Sequence, residues 1–579
     1  MDSTEPAEEE ALLYQVSSAS STERDDDSDG YELDDFDDEP SLAPLTFTQR
    51  PRWWRPMPRR LGHRRGGSGS SLFTIHPPRR RRALLYRAVQ LLALVPHIVL
   101  SSIILCGIFF PSYSYPPERY LELRARVQEQ GLTANTNNEK VFIAASLYDR
   151  EGEVVSGLWG QSVLHLIDIL GKENVFLSIY ENDPDEKAQE ALDAFAKNVT
   201  CESAIVTEEL DLHKLPHVST PDGHQRLKRI AFLADVRNRA LRPLEDVDSK
   251  AYSTRFDKLL YLNDVVFDPI DAANLLFSTN VDEQSGRTQY RAACAIDFIN
   301  PFKFYDTFAT RDLEGNDMGV VFYPWFTGAG EGESRKDVLQ QKDAVRVKSC
   351  WGGMVAFEAR WFQQHLHQKK FVSSAESSGA AADSYYHVDM TRNNPSHTSQ
   401  VAFSGSNSSL RFRAETDTYW DASECCLIHA DLSSMDSDLL GVNETGIYMN
   451  PYIRVAYSAS VLPWLSFTKR FERLYTPVHS IINWIAERPS FNPRQLQQPG
   501  DEVTDSVWVW HQDSLEKLRQ GTVQSSKDLI GHFEQVRRKA LPGGFCGMRK
   551  LLYINEDPSN GQGKWASEKL PLGGDRKSV

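Results

Sequence analysis

The sequence predicts an α/β fold, a mixed and mainly parallel sheet flanked by helices, set behind a single N-terminal transmembrane helix. Three observations predict it. Between residues 139 and 262, short apolar runs alternate with segments of helical period, the pattern of strand–helix–strand units whose sheet is covered on both faces. Residues 88–110 read AVQLLALVPHIVLSSIILCGIFF, 23 residues without Asp, Glu, Lys or Arg. The chain of 579 residues is 40% apolar, 11% aromatic and 25% charged, a globular composition with room for several domains. Fibrous, disulfide-scaffold and wholly disordered proteins are excluded.

Residues 1–48 carry 16 acidic groups and one base, Arg24. Such a segment buries too little apolar surface to fold and is expected to be a disordered, acidic cytosolic tail. Residues 49–87 carry 12 arginines and no acid, a basic juxtamembrane segment suited to anionic headgroups or to a cytosolic sorting receptor. At 1.5 Å per residue, the run 88–110 spans about 34 Å, enough for a bilayer core of about 30 Å. The arginines on its N-terminal flank place that end in the cytosol. With 87 residues ahead of it, the run is a signal anchor rather than a cleaved signal peptide. The body is therefore expected in the lumen of the Golgi or ER, as a single-pass type II protein. Net charge is −16, yet the body beyond the anchor is only mildly acidic and lacks the basic footprint of a nucleic-acid binder.

Three acceptor sequons, at Asn198, Asn407 and Asn443, all follow the anchor, which fits a lumenal glycoprotein. Of seven cysteines, Cys106 lies in the apolar run and six lie beyond it. Six allow up to three bridges, in 15 pairings, or buried free thiols.

A stem is expected over 111–138, the main domain over 139–460, a C-terminal extension over 461–555 and a flexible tail over 556–579. Strands are expected at 140–147 (KVFIAASL), 174–180 (NVFLSIY), 204–206 and 258–262 (KLLYL), and helices at 154–170, 185–197 and 226–241. Residues 328–341 and 373–400 read as surface loops, and 499–501 (PGD) as a turn or linker.

In an open sheet of this kind ligands sit at the carboxyl ends of the strands. The sharpest motif is therefore Tyr261-Leu262-Asn263-Asp264-Val265-Val266-Phe267-Asp268-Pro269, where an apolar strand runs into an Asn-Asp pair. Asp264 is the candidate ligand of Mn²⁺ or Mg²⁺, hard cations that take oxygen donors. Asp268 reads as the cap of a helix starting at Pro269. Asp149, Arg150, Glu181 and Asn182 follow the first two strands and are candidates for a nucleotide's base and ribose. Arg237 and Asn238 end the third helix, where an arginine serves phosphate or simply the helix dipole. Asp297 could face a sugar or act as a base. Trp351, Gly352 and Gly353 suit a flexible loop closing over a sugar. Glu424 opens an apolar segment and His429 follows it, a candidate to complete a metal site with Asp264.

Nine runs in order resemble one family. They are KVFIAASLYDREGE, FLSIYEND, LADVRNRAL, LLYLNDVVFDP, ACAIDF, CWGGM, ECCLIHADL, NPYIRVAY and GGFCGMRKLL, over about residues 139–553. The chain is similar to the fungal capsule-associated α-1,3-mannosyltransferases, glycosyltransferase family 69. The resemblance implies a GT-A-like nucleotide-sugar fold and transfer of mannose from GDP-mannose to a glycan, with retention and with Mn²⁺. It implies Asp264 as metal ligand and His429 as a further metal or phosphate contact. Asn263 would lie by the donor's ribose or phosphate, Trp351, Gly352 and Gly353 on the sugar or acceptor side, and Glu424 near the reacting carbon. LNDVV lacks a full Asp-x-Asp, and 373–400 reads as an insertion. Other GDP- and UDP-sugars stay open as donors. The competing reading is a non-catalytic, lectin-like scaffold of a glycosylation complex. A glycoside hydrolase using Glu424 and Asp297 is a distant third.

Overall fold

The structure is a computed structural model that describes residues 79–149, 151–220, 224–367, 409–435, 445–519, 531–555 and 565–568. The acidic tail, the basic segment as far as residue 78, Arg150, the 373–400 loop, Asn407 and Asn443 lie outside the described residues.

The first three strands, β1 (Val141–Leu147), β2 (Val175–Asn182) and β3 (Glu202–Glu208), are followed by β4 (His217–Ser219) and β5 (Gln225–Lys228). Then come β6 (Lys258–Leu262), β7 (Ala292–Phe298), β8 (Arg311–Asp312), β9 (Val345–Ser349) and β10 (Met354–Glu358). The C-terminal part holds β11 (Asp421–Ala422), β12 (Ile447–Ala456), β13 (Glu502–Trp510), β14 (Gly531–Lys539), β15 (Gly547–Met548), β16 (Leu551–Ile554) and β17 (Trp565–Glu568).

The main sheet has nine strands in the order β3-β2-β1-β6-β10-β7-β12-β9-β8. β3, β2, β1 and β6 pair in parallel, as do β7 and β12. β10 and β9 run against their neighbours. The sheet is thus mixed, and its parallel half is the half that the strand–helix alternation foretells. β10 is added as an antiparallel partner to β6, which no local periodicity announces.

β1 and β2 are buried nearly throughout, because helices cover both faces. Side chains alternate along a strand, so Val141, Ile143 and Ala145 pack with Val163, Leu166 and Leu275 of the helices Leu158–Leu170 and Pro269–Phe277. Phe142 and Ala144 pack on the other face with Phe232 and Val236 of the helix Arg229–Leu241. Each of the valines, leucines, isoleucines and phenylalanines among them contributes about 1.5–3 kcal/mol by leaving water. The expected helix 154–170 is broken at Gly157 into Glu153–Ser156 and Leu158–Leu170. The expected 226–241 helix starts late, since 225–228 is β5. Asp268 caps the helix at Pro269, accepting the N–H of Ile270 at 2.8 Å. Within 328–341, read as a loop, Glu333–Leu339 is a short helix.

All of the apolar run but Phe110 falls inside the helix Arg79–Phe109. Among the described residues no helix is long and apolar enough to cross a membrane; the side chains of Ala88, Val89, Leu91 and Leu92 lie outside the described ones. Residues 111–138, expected to be a stem, pack on the body instead. Tyr113 is buried against Tyr452 and Trp325, and the helix Glu118–Gln128 buries Tyr120 and Leu123. The C-terminal extension is joined to the body by β11–β15, by β16–β5 and by a Cys426–Cys546 disulfide. Within the expected tail, β17 pairs with β16.

Candidate active site

Seven of the nine strands share a direction, so β1, β2, β6, β7 and β12 end on one edge of the sheet. Five polar side chains gather there from separate stretches of sequence.

Asp149 follows β1. Its carboxylate accepts the N–H groups of Val154 and Val155 at 2.8 and 3.1 Å, capping the next helix. Its own N–H donates to Glu181 at the end of β2, at 2.7 Å. Glu181 is buried, and its second carboxylate oxygen has no hydrogen-bond partner. Burial pushes its pKa up to about 8, with the charges of Asp149 and Asp264 adding to the effect. The Asn182 amide lies beside the Tyr180 hydroxyl, 3.5 Å away.

Asp264 follows β6 and is half-buried. No side chain among the described residues bonds or pairs with its carboxylate. Burial raises its pKa, and the Asp149 charge adds to this, against the pull of its own N–H and of Arg237. Neighbouring Asn263 is bound on all sides. Its N–H continues the β6–β10 ladder to Gly353, and its carbonyl accepts the Trp159 indole at 2.8 Å. Its side-chain oxygen accepts Arg237 and the Trp351 indole, each at 3.1 Å.

Arg237 is the hub. It donates to Glu424 at 2.9 Å as well as to Asn263. Its guanidinium lies 4.6 Å from the Trp351 ring centre, 5.4 Å from Tyr261 and 5.7 Å from Phe412, a cation held between aromatic faces. Burial alone would lower its pKa, but the Cys425 thiol and the Glu424 carboxylate raise it on balance, so it stays charged. Glu424 occupies the first turn of the helix Glu424–Ser434, where the dipole favours an acid. Asn238 acts at one remove: its amide pairs with both the N–H and the C=O of Phe412, at 2.9 Å each, and so sets that ring under Arg237.

Three expectations are corrected. Trp351 is 2% exposed; with Arg237 over its face and Tyr261 and Phe412 beside it, it has no free surface for a sugar. Gly352 and Gly353, at φ +60° and +66°, form no flexible loop. A Cβ at Gly352 would strike the carbonyl of Ala295 and one at Gly353 the side chain of Val265, so glycine is required by close approach. His429 is not brought to Asp264. It stacks on Phe357, 5.5 Å between ring centres, and bonds the carbonyl of Cys425. Phe357 pairs with Leu259, five residues before Asp264, or about 16 Å along a strand. Burial holds the His429 pKa down at about 4, and the two sulfurs grouped within 4.8 Å of its ring nitrogen belong to the Cys294–Cys350 disulfide, which offers no thiolate to a metal.

Asp297 is wholly buried. Its carboxylate accepts the N–H of Asp306 at 3.0 Å and the hydroxyl of Tyr457 at 3.2 Å, and burial with the Asp306 charge pushes its pKa up to about 8. It supports the site from behind rather than facing a sugar. Asp306 in turn accepts the N–H groups of Ala309 and Gly352 at 3.0 and 3.3 Å. Asp306 and Tyr457 escaped the sequence reading; their only signal was position, one just past β7 and one at the end of β12. Two disulfides form, Cys294–Cys350 and Cys426–Cys546, while Cys106, Cys201 and Cys425 are free. Asn198 is exposed after the helix Glu186–Ala196, as a glycan acceptor must be.

Asp149, Glu181, Asp264 and Glu424 are four carboxylates around one arginine, and two of them carry oxygens with no partner among the described residues. Burial raises the pKa values of Asp149, Glu181 and Asp264, and carboxylate oxygens left without a protein partner are the donors that a hard cation takes. The residues present therefore fit a divalent metal.

No match is found among curated protein sequences. Among solved structures, the mannosyltransferase PcManGT from Pyrobaculum calidifontis, in complex with GDP-Man and Mn²⁺, is 9% identical over 68% of this chain and 86% of its own, with a TM-score of 0.27. A superposition that loose says nothing about where ligand atoms would fall here. A family model described as Cryptococcal mannosyltransferase 1 matches residues 140–431. That stretch is half of the chain and holds Asp149, Glu181, Arg237, Asp264 and Glu424, and on that match the chain belongs to the Cryptococcal mannosyltransferase 1 family.

Proposed function

We propose that the chain is a membrane-anchored, lumenal mannosyltransferase of the Golgi or ER that moves mannose from GDP-mannose, in α-1,3 linkage, onto a hydroxyl of a glycan acceptor. The observation that carries this reading is the Asp264 carboxylate, which no side chain among the described residues bonds, beside the Arg237–Asn263–Glu424 network, at the carboxyl edge of the parallel strands and inside the family match.

Asp264 and Glu181 are the residues that would hold a divalent cation. Such an ion supplies charge neutralisation for a leaving diphosphate. The chain's own groups do the rest. Arg237 is a positioning residue, fixing Glu424 and Asn263 at one point of the edge. Glu424 presents the carboxylate nearest the reacting sugar carbon. Asp149 has one carboxylate oxygen and its N–H committed to the fold, so it shapes the floor of the donor site. Asp297 and Asp306 hold the Gly352 turn in place. The buried Trp351 disfavours the lectin-like scaffold, which needs an open aromatic face.

The test is a panel of labelled sugar nucleotides offered to the purified protein with and without Mn²⁺. Transfer or hydrolysis is expected from GDP-mannose and is lost on chelation. Asp264→Ala should lower the rate by ~10²-fold or more, the scale of losing one preorganised charge contact, with an unchanged circular dichroism spectrum. Full activity in that variant sinks the assignment.

A further inference from the structure

The helix Tyr475–Ile485 is turned inside out for a protein surrounded by water. It buries its polar His479 and Asn483, which meet Arg335 and the N–H of Val320. It exposes Val478, Ile481, Ile482 and Ile485, at i, i+3, i+4 and i+7, with Trp484 82% exposed beside them. That spacing makes one continuous apolar stripe. The helix Leu462–Thr468 buries Leu465 and Thr468 and adds to the exposed face, leaving Trp464 and Phe467 more than half exposed. Apolar residues scattered singly over a surface need no explanation, but a contiguous aromatic and aliphatic face does.

What covers the face is indicated by the chain that enters beside it. Phe110, at the end of the helix Arg79–Phe109, is exposed, and Tyr113 is already buried in the body. Three residues reach at most about 11 Å, little more than a headgroup layer. The body therefore cannot stand away from whatever surrounds that helix. The last turn of the helix is also seated on the segment between Leu462–Thr468 and Tyr475–Ile485: Gly107 lies against the Phe471 ring, where a Cβ would collide. That segment is fixed to β12 by the paired bonds of Glu472 to Arg454, at 2.6 and 2.9 Å. Lys469, Arg470 and Arg473 add positive charge along it.

We infer that the helices Leu462–Thr468 and Tyr475–Ile485 lie in the interface of the membrane that the N-terminal helix crosses, with Trp464, Phe467, Ile481, Trp484 and Ile485 at the boundary of headgroups and acyl chains. Tryptophan and phenylalanine on an apolar face with flanking bases are the side chains that suit this layer. The occupant is phospholipid, and the catalytic body is held at a fixed tilt by two contacts rather than hung from one. The inference rests on the reading of 88–110 as the anchor.

The experiment uses the full chain reconstituted in phosphatidylcholine vesicles. The photoreactive p-benzoylphenylalanine replaces Leu100, Phe467, Trp484 or, as a control on a distant exposed loop, Val247, and adducts are identified by mass spectrometry. Lipid adducts are expected at 467 and 484 in yields comparable with 100, and a complete loss is expected at 247. Lipid at 100 but none at 467 and 484 overturns the inference and leaves the anchor standing. No lipid at 100 overturns the anchor itself. Adducts to a second copy of the chain at 484, in place of lipid, show a protein interface and also overturn it.

Discussion

Glu181 carries a carboxylate whose folded environment favours the proton, with a pKa pushed up to about 8 by burial and then by the nearby acids Asp149 and Asp264. In the unfolded chain the same group titrates near 4.3. The folded state therefore binds more protons between those two values. The stability that this acid lends is complete below about 4.3 and is lost as pH rises toward about 8. Asp297, also pushed up to about 8, acts with the same sign. The thermal midpoint of the metal-free protein should fall across that window, and Glu181→Gln should flatten the fall. A divalent ion competes with the proton, so the stabilisation by Mg²⁺ should grow as pH rises. Calorimetric scans at several pH values, with and without Mg²⁺, check both trends; a midpoint independent of pH would refute the assignment of a proton-bearing Glu181. Single residues also show how far sequence reaches. The place of Asp264 at the carboxyl edge of the sheet was legible because it directly follows an apolar strand. The burial of Trp351 was not, because the arginine that covers it comes from residue 237 and the rings beside it from 261 and 412. His429 misled because an imidazole after an acid and an apolar segment reads the same in sequence whether it faces the site or, as here, stacks on Phe357.

At the scale of elements, the parallel half of the sheet was legible because each strand–helix unit is a local pattern of two periods. The antiparallel insertion of β10 between β6 and β7 was not. It depends on the Trp351-Gly352-Gly353 turn that swings the chain back against β6, and this turn is rigid. Asp306 accepts the N–H of Gly352, and the Ala295 carbonyl leaves no room for a Cβ. Gly352→Ala should therefore destabilise by ~2–4 kcal/mol, from left-handed backbone strain plus overpacking, and should lower activity by displacing Trp351 from Arg237. Gly500, at φ +90° with open space around it, is the control: Gly500→Ala carries the backbone term alone, ~1–2 kcal/mol. Urea melts of the two variants separate the terms, and equal losses would show that the turn is not tight.

For the molecule as a whole, the acidic run, the arginine-rich run and the apolar stretch are legible in order as patterns of charge and hydropathy, which need no tertiary context. Sequence could not show that the presumed stem is folded against the body, since Tyr113, Tyr120 and Leu123 carry no periodicity that tells a linker from a docked segment. Nor could it choose among cysteine pairings. The pairs that form matter for function. Cys294–Cys350 joins β7 to the residue just before Trp351, and Cys426–Cys546 ties the Glu424 helix to the C-terminal part. Both staples flank the catalytic edge, so reduction with dithiothreitol should abolish transfer at a temperature where far-ultraviolet circular dichroism is unchanged. Undiminished turnover by the fully reduced protein would remove the staples from the account. Bridges of this kind are closed only where thiols can be oxidised. A polypeptide kept where thiols stay reduced would then lack both staples, so oxidation would be the step that arms the enzyme.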